Sequence, residues 1–213
     1  MGKAILVMAT MNRHKLSEVR AIFEQEGLDH FIDLKSVQDL GFEGDIPEDK
    51  DTLEGNATAK SRFVFDRFGS DCFSDDTGLE VEALNGAPGV RSARYAGEEA
   101  IASGNIRLLL QQLEGTAKRH ARFRTVISLI IRGKEHMFEG IVEGEILTAM
   151  EGTEGFGYDP VFRPKGYDYS FASMPSKEKN RISHRYHAIR EMAKFLSANK
   201  GIFDQPGDEI GYR

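Results

Sequence analysis

The stretch "CFSDDTGLEVEAL", residues 72–84, sets two carboxylates, Asp75 and Asp76, side by side ahead of a hydroxyl, Thr77, and a glycine, Gly78. Apolar segments of strand character flank these four residues, which predicts a turn between two strands. Asp, Thr and Gly are ordinary turn residues, because short polar side chains bond their own backbone and glycine accepts positive φ. Adjacent carboxylates at a strand end also repel each other unless a cation or a shared proton relieves them, and that is the chemistry of a metal site.

Four further clusters carry groups able to hold a ligand. In "ATMNRHK", Thr10 and Asn12 offer a hydroxyl and an amide, and Lys15 a compact cation at the start of a helix whose N-terminal amides suit phosphate oxygens. The spacing is not that of a Walker loop, and the same residues would also serve as a plain helix cap. In "PEDKDTLEGNATAKS", Glu48 brings a carboxylate, while Asn56 and Lys60 lie four apart on one helix face. In "GFGYDP", Phe156, Gly157, Tyr158 and Asp159 form an irregular segment whose aromatic ring suits a stacked base or, equally, an anchor into the core. In "KEKNRISHR", Lys179, His184 and Arg185 gather three donors at the start of the last helix, where cations oppose the helix dipole and are better placed facing an acceptor.

The elements that must position these groups follow from apolar periodicity. Residues 3–9 have the length of a buried strand, followed by a helix carrying Leu16, Val19, Ile22 and Phe23. Helices are predicted over 53–68, ended by Gly69, over 100–113, ended by Gly115, and over 184–198, with Ser183 as N-cap. Residues 121–131 and 137–146, joined by "RGKE", form an antiparallel hairpin, so the class is α/β with a mixed sheet. Residues 1–213 contain no linker that would split them, and the glycine-bearing tail 201–213 receives no role.

The balance of 40% hydrophobic and 29% charged residues is that of a soluble globular protein, and a net charge of −6 argues against a nucleic-acid or anionic membrane partner. The first apolar run is too short for a signal peptide or a membrane span, which makes a cytoplasmic location the expectation. Cys72, the single cysteine, lies in an apolar run that favours an inert buried thiol.

The clusters in this order resemble the inosine triphosphate pyrophosphatase family, through "ILVMATMNRHKLSEV", "FSDDTGLEVEALNGAPGVRSARYAGEEA", "GFGYDPVF" and "ISHR". The resemblance implies an elongated mixed sheet flanked by helices, two lobes with a central substrate cleft, and a homodimer. It implies Mg²⁺-dependent hydrolysis of ITP, dITP and XTP to the monophosphate and pyrophosphate, with Mn²⁺ as a substitute. By the same resemblance Thr10, Asn12, Lys15 and Lys60 fall on phosphate contacts, Glu48 and Asp76 on metal carboxylates, and Thr77 beside the substrate. Phe156, Gly157, Tyr158 and Asp159 fall on the base-side loop, and Lys179, His184 and Arg185 on base recognition. Asp75 and Asp76 together supply a metal ligand and a base. Met11 stands where the family's phosphate loop has glycine, which restricts positive φ there. A hydrolase for another modified nucleotide and a non-catalytic nucleotide sensor remain the alternatives.

Overall fold

The computed structural model describes residues 2–98 and 101–203. The predicted tail therefore falls largely outside the described residues, as does the predicted start of the third helix at Ala100. A mixed sheet runs in the order β2 (Ile32–Ser36), β1 (Ala4–Met8), β3 (Cys72–Val81), β5 (His120–Ile131), β6 (Lys134–Ile146) and β7 (Phe162–Pro164), with β4 (Pro88–Gly89) on β3. Helices α1 (Arg13–Gln25), α2 (Leu53–Phe68), α3 (Ala102–Gln112), α4 (Ser176–Ile182) and α5 (His184–Ala198) flank it.

The acidic stretch is not a turn. Residues 72–81 form one continuous strand, paired residue by residue with β5 from Cys72–Ile130 to Val81–Ala121. Turn-like side chains here are overridden by burial and by this long ladder, since strand preference is set by context more than by residue type. Lys179 also departs from expectation. It lies on the separate helix α4, which stops at Ser183, and the Ser183 hydroxyl then caps α5 by accepting from the Tyr186 amide at 3.1 Å.

The other edge of β3 is served only at its ends. Parallel β1 reaches it at Val7–Cys72 and Met8–Phe73, and β4 at Leu79–Gly89 and Glu80–Pro88. Between these ladders, residues 74–78 have a strand on one side only, and the sheet opens there. Two apolar clusters flank the opening. Phe73 packs with Leu6, Val19, Phe23 and Ile189, while Leu79 and Val81 pack with Ile106, Leu109, Phe123 and Phe162.

Helix α5 closes one face of the opening because Gly140 of β6 lets it approach. A Cβ at Gly140 would stand 2.1 Å from the His184 carbonyl oxygen and 2.3 Å from the Ala188 nitrogen. Gly140→Ala is therefore expected to cost about 1–3 kcal/mol through overpacking, read as a lower urea midpoint. An unchanged midpoint would show that α5 does not depend on this contact.

Candidate active site

Because side chains alternate along a strand, Asp75 and Asp76 leave β3 in opposite directions. Asp75 and Thr77 face α1 and α5, whereas Ser74 and Asp76 face α2. Each carboxylate meets its own cations. Asp75 receives Arg185 Nε at 3.1 Å and Lys15 Nζ at 3.4 Å and is almost wholly buried. Asp76 receives Lys60 Nζ at 3.0 Å and Asn56 Nδ2 at 3.2 Å. Like-charge repulsion between neighbours in sequence is thus relieved by geometry and separate ion pairs.

The two acids differ in basicity. Burial raises the pKa of Asp75, but Lys15, Arg185 and Lys60 outweigh it and hold the carboxyl well below the usual range. Burial pushes Asp76 above its ordinary value, with Glu48 adding to the rise and Lys60 opposing it. Asp76 lines the cleft, as do Thr77 and Glu48. Asp75 stands behind it as an anchor for two cations.

Lys60 is buried and joins the two acids of the α2 side, with its Nζ 2.6 Å from Glu48 Oε1 and 3.0 Å from Asp76 Oδ1. Burial works to lower its pKa, but the charges of Asp76, Glu48 and Asp75 raise it. Asn56, one turn earlier on the same helix face, also fixes the acidic loop by accepting from the Lys50 amide at 2.9 Å.

Helix α1 supplies the next wall. The Thr10 hydroxyl accepts from the Asn12 amide at 3.1 Å, and Asn12 Oδ1 accepts from the His14 and Lys15 amides at 2.9 and 3.2 Å. Those two helix amides are consumed by the cap, contrary to their expected use on phosphate. Asn12 and Lys15 line the cleft, whereas Thr10 shapes the loop. Met11 is not among the positive-φ residues and packs beside Val7, Val37 and Phe42, so this loop has no need of glycine there.

At the far end of the cleft, Phe156 is 43% exposed. Its loop is held by Asp159, whose Oδ2 accepts from the Phe156 amide at 2.7 Å and from Lys179 Nζ at 2.6 Å. Gly155, at φ +79°, is required here, since a Cβ would meet Asp159 Oδ2 at 2.2 Å. Tyr158 donates to the Ser92 carbonyl at 2.9 Å, and Gly157 lines the cleft beside it. Lys179 stands 4.7 Å and the Arg185 guanidinium carbon 5.8 Å from the Phe156 ring centre, within cation–π range.

Arg185 is the most constrained cation. Its Nε holds Asp75, its Nη1 donates to Glu18, and its buried Nη2 has no partner among the described residues. His184, beside it, is held well below its ordinary pKa by burial, then by the charges of Arg185 and Lys179, and is therefore neutral. Both residues line the cleft, whose volume is ≈ 220 Å³. Cys72 takes no part. Its thiol is buried, donates to the Ser61 carbonyl at 3.1 Å, and is pushed up to about 12 by burial.

A family model for the Ham1 family matches residues 6–195, a span that contains every one of these groups. The chain belongs to the Ham1 family. It is 50% identical over 196 residues to a dITP/XTP pyrophosphatase of Porphyromonas gingivalis, covering 92% of this chain and 98% of that one. It is 46% identical over 195 residues to a dITP/XTP pyrophosphatase of Flavobacterium johnsoniae, covering 92% and 99%. The Ham1 protein of Staphylococcus aureus superposes with a TM-score of 0.82 at 36% identity over 91% of this chain and 98% of its own. A HAM1 protein from Coxiella burnetii does so at 0.84 and 34% over 92% and 99%.

Within this Ham1 cleft some participants escaped the sequence. Glu18 sits three residues after Lys15 on the same helix face, a spacing that could have flagged it. Thr125 is a hydroxyl inside the apolar run "TVISLII", where a buried polar group must find a partner. Phe123 and Arg94, which also line the cleft, carry no such signal.

Removing the buried anchor leaves Arg185 and Lys15 without their shared carboxylate, so Asp75→Asn should destabilise by about 3–5 kcal/mol. Asp76→Asn should cost less, because Asp76 is the less buried of the two and its raised pKa means that folding disfavours its charge. The contribution of Asp75 is present above the unfolded aspartate pKa, near 3.9, and is lost as pH falls through its depressed folded value. Urea unfolding of both variants at neutral pH checks this, and equal losses would contradict the assignment.

Proposed function

We propose that this protein hydrolyses deaminated purine nucleoside triphosphates (ITP, dITP, XTP) to the monophosphate and pyrophosphate, removing them from the nucleotide pool. The observation that carries this reading is a single cleft with a basic carboxylate, Asp76, at one end and an exposed aromatic, Phe156, among buried donors at the other. The dITP/XTP pyrophosphatases to which the chain is similar support the substrate class.

Glu48 and Asp76 converge on Lys60 Nζ and form a hard-oxygen pair that would hold Mg²⁺ or Mn²⁺. Such an ion supplies Lewis-acid neutralisation of phosphate charge. The chain's own residues do the rest. Lys15 and the Asn12 side-chain amide, which line the cleft, bind phosphate oxygens, and Lys60 holds Glu48 and Asp76 together behind them.

Asp76 takes a proton from the attacking water as the new phosphorus–oxygen bond forms and the bridging bond to pyrophosphate breaks. Its raised pKa makes it the better acceptor of the two aspartates. Phe156 stacks on the base, Arg185 Nη2 and His184 face its oxygens, and Lys179, bound to Asp159, steadies the loop that carries Phe156. A cytoplasmic homodimer with no nucleic-acid or membrane partner completes the reading, and no helix among the described residues is long and apolar enough to cross a membrane.

Asp76→Asn should lower kcat by roughly 10²–10⁴, with pyrophosphate release from ITP as the readout. Chelation should abolish turnover. ITP and XTP should exceed GTP and ATP, and a preference for ATP or full activity in excess chelator would overturn the reading.

A further inference from the structure

Thr125 sits on β5 directly across from Thr77 and is fully buried. Its Oγ1 lies 2.8 Å from the Thr77 hydroxyl and 2.6 Å from His184 Nδ1. The His184 ring is stacked on Phe123 at a centroid separation of 4.8 Å, which fixes its plane. With Nδ1 turned to Thr125, Nε2 is the ring nitrogen left for a molecule in the cleft that His184 lines.

Each of the two links needs one proton, and each hydroxyl has one. If Thr77 donates to Thr125 and Thr125 to Nδ1, the neutral ring carries its proton on Nε2. If Nδ1–H donates to Thr125 and Thr125 to Thr77, Nε2 is a bare acceptor and the Thr77 proton must find an acceptor in the cleft. Any mixed arrangement either leaves a buried hydroxyl proton unpaired or leaves one link without a proton, and both carry the cost of an unmade hydrogen bond. Only the first arrangement pairs both hydroxyl protons inside the protein.

We propose that Thr125 is a specificity-determining positioning residue, whose hydroxyl holds His184 as the Nε2–H tautomer and thereby selects a 6-keto purine. This rests on the functional reading above. An O6 acceptor meets the Nε2 proton, whereas the 6-amino group of adenine meets it head on. Accepting adenine would require the chain to reverse as far as Thr77, so the base is sensed beside Asp76 as well as at the ring. In the selecting state Thr77 offers only lone pairs, so its partner is a hydroxyl or a water and not a phosphate oxygen.

The test pairs kinetics with spectroscopy. Thr125→Val keeps the β-branched shape without the hydroxyl, and Thr125→Ser keeps the hydroxyl. The ratio of kcat/KM for ITP over ATP should fall about ten- to a hundredfold in Thr125→Val and stay within about threefold of wild type in Thr125→Ser. A packing role would lower the unfolding midpoint and leave the ratio unchanged, and that result would overturn the proposal.

Independently, the ring ¹⁵N shifts of His184 in the ligand-free wild-type protein should show a protonated Nε2 and an unprotonated Nδ1. A protonated Nδ1 would overturn the proposal whatever the variants do. Failure of wild type to release pyrophosphate from ITP would defeat the functional reading, while the ring shifts would still decide the role of Thr125.

Discussion

The site depends on the alternation of side chains along one strand. Two adjacent aspartates on a flexible turn would compete for the same cations and share their protons. On β3 they leave opposite faces, and each acquires a different environment. Asp75 is enclosed by Arg185 and Lys15 and loses basicity, while Asp76 faces α2, the acidic loop and the cleft and gains it. One dipeptide thus provides two carboxylates of opposite basicity.

The cleft arises because β3 runs through two apolar cores but is fully paired on only one edge between them. β1 ends its ladder at Phe73 and β4 begins at Leu79, so residues 74–78 border open space with rigid strand at each end. Functional groups on such a scaffold are held by packing on both sides. Arg185 ties the cleft together. It reaches Asp75 on the sheet and Glu18 on the first helix, and it lies near the ring of Phe156.

Much of this was legible in the sequence. The helix 53–68 and the cap at Ser183 agree with expectation, as does the pairing of Asn56 and Lys60 on one helix face, because periodicity and capping residues state these directly. The hairpin was also legible, with its turn narrowed to Arg132 and Gly133. The acidic stretch misled, since its composition is that of a turn and only the ladder to β5 makes it strand. Strand β2 and helix α4 are short and weakly patterned. Glu18 and Thr125 act through partners more than a hundred and about sixty residues away respectively, a relation that no local spacing encodes.

The division of labour between the two aspartates is tested most directly by their own titration. In the ligand-free protein with ¹³C-labelled aspartate carboxyls, assigned by Asp75→Asn and Asp76→Asn, the Asp75 signal should remain ionised well below the usual aspartate range and the Asp76 signal should titrate above it. The reverse order, or two ordinary aspartates, would contradict the account.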